Sequence, residues 1–202
     1  SHDFDEVVME AVRQLNGEGL SKLEAEAQRE TLIQGYRWIL VDEYQDIGPE
    51  EYALISAVAG RSLGDKELQL SLFAMGDDDQ NIYAFGGASV EYIRRFEADY
   101  HAKPVYLVEN YRSTTYIVHA ANRVIAGAAE RMKSGHDIAV NSARRREPAG
   151  GMLARVDTLG QGRVQVLAAG ENELTQAAAA VAELQRLSRL DVNWEWSGAA
   201  VI

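Results

Sequence analysis

Three short stretches of this chain gather residues that could handle a phosphate or a metal ion. The first is Leu40-Val-Asp-Glu-Tyr-Gln-Asp46, an apolar run that ends in adjacent carboxylates. Two acids at the end of a buried strand are costly unless something positive or hydrogen-bonding meets them. Mg2+ carrying a nucleotide is one such partner: Asp42 would hold the ion through water while Glu43 orients or deprotonates an attacking water. Taken alone, an Asp-Glu pair after an apolar run reads first as the opening of a solvated loop.

The second stretch is Met75-Gly-Asp-Asp-Asp-Gln-Asn-Ile-Tyr-Ala-Phe-Gly-Gly-Ala88. Its acids could form an ordinary turn and its aromatics an ordinary core. Gln80 does not titrate, so a functional role would be to sense a phosphate or a water by hydrogen bonds. Tyr83 and Phe85, two apart between a polar segment and Gly-Gly-Ala, are suited to stacking on unpaired bases, at about 1–3 kcal/mol per base. The third stretch is Leu107-Val-Glu-Asn-Tyr-Arg-Ser-Thr114. Arg112 is a planar, permanent cation that could reach a phosphate, and Tyr111 beside it offers a face to an adenine. For a single arginine, a structural ion pair is the ordinary alternative.

The elements that must position these residues alternate between strands and helices. Phe4, Val7, Val8, Ala11, Val12 and Leu15 have the spacing of an amphipathic helix closed by Asn16-Gly17, and a second helix is predicted from about Ser21 to Ile33. Trp38–Val41 suits a strand buried on both faces. Pro49, Glu50 and Glu51 open a helix. Leu68–Met75 and Val105–Val108 read as strands, and Ser89–Tyr100 as a helix. A long helix is expected from Ser113 to about Met132, then a basic loop at Arg144-Arg-Arg146. Strands over Met152–Val156 and Arg163–Ala168 and a helix over Glu173–Leu190 complete the pattern. Such alternation predicts an α/β fold with a mainly parallel sheet, whose ligands bind outside the carboxyl ends of the strands. Three of the predicted strands end in the three polar stretches.

Composition bounds the reading further. Hydrophobic residues make up 47% of the 202, enough to bury a core, and the net charge of −11 argues against a generic nucleic-acid coat. The charge is divided unevenly. Residues 1–107 hold 9 Lys+Arg against 21 Asp+Glu, whereas residues 108–202 hold 11 against 10. A DNA contact would therefore be local or completed by further sequence. Without cysteine there is no disulfide framework and no thiolate metal site, which agrees with a cytoplasmic location. No apolar run approaches the roughly 20 residues of a membrane span. The chain opens Ser1-His2 and closes in the apolar run Gly198-Ala-Ala-Val-Ile202, and the expectation is a piece of a longer protein.

Taken in order, the three stretches resemble motifs II, III and IV of the superfamily 1 DNA helicases of the UvrD, Rep and PcrA type. Those motifs read roughly D-E-[FY]-Q-D, G-D-x-x-Q-S-I-Y-x-[WF]-R-G-A and N-Y-R-S. The resemblance implies a RecA-like, P-loop NTPase type of fold, with residues 1–106 as part of the first motor lobe and 107–202 as the start of the second. It implies ATP and Mg2+, held between lobes, and movement along single-stranded DNA in the 3′ to 5′ direction. Asp42 would hold the metal, Glu43 would activate water, and Gln80 would couple the γ-phosphate to DNA. Tyr83 and Phe85 would contact the DNA strand, Tyr111 would stack on adenine, and Arg112 would reach the γ-phosphate. Two positions depart from the pattern: Asn81 stands where serine is usual, and Gly86 where arginine is usual, which removes a cation beside the DNA-binding aromatic.

A helicase motor also needs a phosphate loop of the form G-x-x-x-x-G-K-[ST]. The nearest approach is Gly127-Ala-Ala-Glu-Arg-Met-Lys-Ser134, in which Met132 replaces the second glycine. It follows a predicted helix rather than a strand, and a methionine side chain would obstruct close backbone approach to phosphate, so it is rejected. The resemblance places the true loop before residue 1, in the remainder of the parent chain, and the isolated segment is expected to be inactive as an ATP hydrolase. Two other readings stand beside it. One is a non-catalytic DNA- or protein-binding module derived from a helicase lobe, favoured by Gly86 and the acidic first half. The other is a metal-dependent hydrolase built on Asp42 and Asp77, which leaves Gln80 and Arg112 unexplained.

Overall fold

In the computed structural model, residues 4–81, 90–129, 131–168 and 172–201 are described. They fall into two compact units, residues 1–105 and 106–202.

The first unit begins with α1 (Phe4–Asn16) and α2 (Lys22–Ile33), within a residue of the helices expected from periodicity. Val8, Val12 and Leu15 recur on one face of α1 and are its buried residues. They meet α3 (Pro49–Ala59), where Val12, Leu15 and Ala57 form a core joined by Ile33, Ala53, Leu54 and Val58. Proline opens α3 and Gly60, at φ 74°, closes it in the left-handed region that favours glycine. Arg29 of α2 is buried, and its guanidinium donates to the carbonyls of Ala57 and Val58 at that carboxyl end. A fixed cation there complements the helix dipole, sharing the Ala57 carbonyl with the N–H of Gly60 and occupying the Val58 carbonyl in the last turn.

The strands of this unit are β1 (Trp38–Val41) and β2 (Ser71–Ala74), which pair in parallel with Trp38 opposite Ser71 and Val41 opposite Ala74. The pairing continues past both strands: Met75 N–H donates to Val41 O, and Tyr44 N–H to Met75 O, each at 2.8 Å. The expectation that β1 is buried on both faces is overturned. Trp38 and Leu40 are 69% and 68% exposed, and Phe73 across from them is 55% exposed. Burial on both faces needs a layer on each side, and among the described residues only the Ile39/Val41 face is partly covered. β2 is also shorter than predicted, because residues 66–68 form a 3-10 turn instead of extending the strand. The unit ends in α4 (Val90–Tyr100), whose Phe96 packs edge-on against Tyr44 at 5.0 Å between ring centres.

In the second unit β3 (Glu109–Asn110) pairs in parallel with β4 (Ala139–Val140). The strand predicted at 105–108 is not formed; Val105 and Leu107 are 77% and 83% exposed and the pairing begins only at Glu109. Helix α5 (Thr115–Ile125) stops well short of Met132. Residues 153–156, predicted as a strand, form the short helix α6 (Leu153–Val156), and 163–168 take no regular structure. Apolar runs of four or five residues suit a strand or a buried turn equally, and pairing partners decide between them. Here Gly150 and Gly162 pack backbone to backbone, at distances no Cβ would tolerate, which folds the 150–162 segment into a tight loop. Helix α7 (Glu173–Ser188) is capped by the Asn172 side chain accepting from Thr175 N–H and is anchored by Arg186, which donates to the buried carboxylate of Asp157 at 2.7 Å. Both sheets are parallel and both units mix helix with strand, in line with the α/β expectation. Among the described residues no helix is long and apolar enough to cross a membrane.

Candidate functional site

The parallel pairing of β1 and β2 puts their carboxyl ends side by side, so the Asp42–Asp46 turn and the Gly76–Gln80 turn leave the sheet at one edge. Glu43 takes the left-handed conformation, φ 50° and ψ 43°, and its N–H donates to Asp42 Oδ1 at 2.9 Å. Both carboxylates are exposed. Immediately after them the chain turns inward: Tyr44 and Gln45 are 0% and 1% exposed. Burial holds the Tyr44 phenol well above its ordinary pKa, so it stays neutral.

Gln45 organises the site. Its Nε2 donates to Glu43 Oε2 at 2.7 Å, and its Oε1 accepts Asp77 N–H at 2.9 Å. Asp77 caps its own turn, accepting from Asp79 N–H at 3.1 Å and from Gln80 Nε2 at 2.7 Å. Asn81 Nδ2 donates to the Gln45 carbonyl at 2.6 Å, a reach that fits the longer side chain standing where serine was the expectation. Gly76 lies so close that a Cβ there would sit 2.8 Å from Gln45 Oε1 and 2.8 Å from Ile93 Cδ1. Asp42, Glu43 and Gln80 are thus brought to one edge, joined through Gln45 and Asp77.

Among the described residues no three His, Asp or Glu side chains gather into a self-contained metal cage. The strand-end acids offer one or two carboxylates in water, the donor set with which Mg2+ is held when nucleotide phosphates supply further ligands. Asp42, exposed and adjacent to the sheet edge, fits that role.

In the second unit the turn after β3 is built in the same manner. Asn110 Oδ1 accepts from the N–H groups of Arg112 and Ser113, at 3.0 and 2.7 Å. Arg144 Nη1 donates to the carbonyls of Tyr111 and Arg112 at 2.7 and 2.6 Å. The Tyr111 hydroxyl donates to Glu109 Oε2 at 2.7 Å, and Asn141 Nδ2 donates to the same oxygen at 3.0 Å. These bonds hold the Glu109 carboxyl below its usual pKa, Tyr111 contributing most, and the Glu109 carboxylate in turn raises the phenol's. The Tyr111 ring, 66% exposed, and the Arg112 side chain remain open to solvent. Tyr83, Phe85 and Gly86 lie outside the described residues.

Gln45, Glu109, Asn141 and Arg144 had no role in the sequence reading. Gln45 falls inside a recognised stretch, but nothing in its spacing says that it turns inward. Arg144 sits in a basic run that reads as a solvated loop, 33 and 32 residues from the two carbonyls it grips.

Two parallel strands ending in an acid pair and a glutamine-bearing turn define an α/β protein with a polar site at the strand ends. Residues 1–101 match the UvrD/REP helicase N-terminal domain, and the chain belongs to this family. It is 40% identical over 131 residues to the ATP-dependent DNA helicase UvrD1 of Mycobacterium tuberculosis, covering 64% of this chain and 16% of that protein. It is 40% identical over 101 residues to the ATP-dependent DNA helicase PcrA of Staphylococcus aureus, covering 50% of this chain and 13% of that protein. DNA helicase II of Haemophilus influenzae is 38% identical over 99 residues, 49% of this chain and 13% of its own length. The chain therefore spans about a sixth or less of these relatives.

Proposed function

We propose that this chain is a segment of an ATP-dependent superfamily 1 DNA helicase, spanning motifs II, III and IV of a motor with RecA-like lobes. The observation that carries the proposal is the adjacency of the Asp42-Glu43 turn and the Gln80 turn at one sheet edge, joined by hydrogen bonds through Gln45. In this reading Glu43 orients and deprotonates the water that attacks the γ-phosphate, and Gln80 reports the phosphate's presence to the DNA-binding segment that contains Tyr83 and Phe85. Tyr111 stacks on adenine and Arg112 stabilises charge on the γ-phosphate. Asp42 would hold Mg2+, which supplies charge neutralisation on the phosphates. The exposure of Glu43 suits a group that must meet water, and the clamps on Tyr111 and Arg112 leave the face of the Tyr111 ring and the Arg112 guanidinium open to solvent.

The 202 residues contain no glycine-rich loop with lysine, so the proposal assigns hydrolysis to a longer protein that includes this segment and expects none from the segment alone. By family analogy that protein moves 3′ to 5′ on single-stranded DNA.

The test is ATP hydrolysis by the full-length protein with and without single-stranded DNA. DNA-stimulated hydrolysis that Glu43→Gln lowers by at least about 100-fold, with ATP still bound, is the expected result. Hydrolysis unaffected by Glu43→Gln would overturn the assignment. A full-length protein that binds DNA without hydrolysing ATP would identify a non-catalytic module instead.

A further inference from the structure

Among the described residues Gln45 is one of the two largest fully buried side chains, and the catalytic reading gives it no role of its own. Its carboxamide is used at both ends, with the NH2 on the Glu43 carboxylate and the oxygen on Asp77 N–H. Asp77 in turn accepts from Gln80. Glu43, Gln45, Asp77 and Gln80 therefore form one continuous run of hydrogen bonds between two turns more than 30 residues apart in the chain. Independent features hold the carboxamide in place. Asn81 grips the Gln45 carbonyl, Gly76 leaves the space its Oε1 occupies, and Tyr44 beside it is fixed in the core by Phe96.

We propose that Gln45 is a positioning residue that couples Glu43 to the turn bearing Gln80, so that a shift of Gln80 at the γ-phosphate changes where the water-activating carboxylate points. This rests on the ATP-hydrolysis reading above. The chemistry asks for glutamine in particular. A carboxamide is uncharged and carries a donor and an acceptor on one planar group, so it can serve a carboxylate on one side and an N–H on the other. Glutamate would keep the acceptor but set another negative group against Glu43 and Asp46, whose Oδ2 is already 3.4 Å from Gln45 Nε2. Methionine matches the length and offers neither bond.

Two measurements test the coupling. In the full-length protein, Gln45→Met and Gln45→Glu are expected to lower kcat for DNA-stimulated ATP hydrolysis about 10- to 100-fold. KM for ATP should stay near the parent value, and the ratio of rates with and without DNA should fall toward one. A purely structural role would reduce the folded fraction and leave kcat per folded molecule and the DNA ratio unchanged, which overturns the proposal. Because a buried substitution can prevent folding, the second measurement leaves Gln45 intact. In the 202-residue chain, Glu43→Gln alters only an exposed side chain. It is expected to shift the side-chain amide resonances of Gln45 and the backbone amide of Asp77 in 15N-resolved spectra. Unmoved Gln45 signals would show that no coupling exists. Should Glu43→Gln leave hydrolysis intact, the functional reading fails; should it abolish hydrolysis while the Gln45 variants behave as the parent, only the coupling fails.

Discussion

Glu43 occupies the left-handed region at φ 50°, where a non-glycine residue is uncommon and such conformations cluster at working sites. The local cause is a conflict of directions. Tyr44 and Gln45 must enter the core directly after β1, while the acids before them stay in water. One residue has to reverse the chain, and the Asp42 carboxylate steadies that reversal by accepting Glu43 N–H. Opposite, Gly76 provides room and not flexibility. Gly76→Ala would drive a methyl into the Gln45 carboxamide and the end of Ile93, with the Gln45 backbone nitrogen only 3.2 Å away. Overpacking of this kind typically costs about 1–3 kcal/mol. The expected outcome is a lower urea midpoint for the 202-residue chain; an unchanged midpoint would mean the carboxamide can swing aside freely.

At the scale of elements, α3 depends on a residue from another helix. Arg29 reaches the carbonyls of Ala57 and Val58 just where the helix ends at Gly60. Desolvation lowers the pKa of its guanidinium, but a guanidinium remains protonated in proteins. Arg29→Met keeps much of the stem and removes both bonds, so the Val58 carbonyl loses this donor. Hydrogen bonds to a charged group are worth about 1.5–3 kcal/mol. A loss of that size corresponds to a fall in Tm of roughly 6–24 °C for a unit of about 100 residues, measurable by circular dichroism. Arg29→Lys should rescue little, because a single ammonium on a flexible stem does not reproduce the fork that spans two carbonyls. Full rescue by lysine would mean that charge alone matters. Helix α7 is held differently, by Arg186 on Asp157, whose carboxyl is lowered to about 2 first by that bond and then by the N–H of Gly160.

At the scale of the whole molecule, burial is shallow. The accessible surface is 14857 Å², whereas two separate compact proteins of about 11 kDa would together expose about 11,000 Å². Large apolar side chains contribute to it, and Trp38, Leu40 and Phe73 form an exposed face on the first sheet. Exposed apolar surface binds the dye ANS. The 202-residue chain is expected to enhance ANS fluorescence, and Leu40→Thr with Phe73→Thr is expected to reduce that signal while far-UV dichroism is kept. No ANS binding by the parent chain would show that this face is covered in solution.

Much of this architecture is written locally. The apolar spacing of α1, the proline and acids that open α3, the four-residue strand at Trp38–Val41 and the alanine-rich α7 all act within a few residues of themselves, and the structure has them close to where the sequence puts them. The acid pair and Gln80 stand out only when their stretches are taken together as a resemblance to known motifs, since an Asp-Glu pair after an apolar run alone reads as a loop. What the tertiary structure alone decided involves partners distant in sequence. Residues 105–108 have strand composition but no ladder before Glu109, and 153–156 close into a helical turn beside the Gly150–Gly162 contact. Gln45 becomes a bridge only because the β1–β2 register brings Asp77 to it, and Arg144 becomes a clamp only because its loop returns to Tyr111. Hydrogen bonds of that kind depend on positions in space that residues 32 and 33 apart acquire together, so no local pattern announces them.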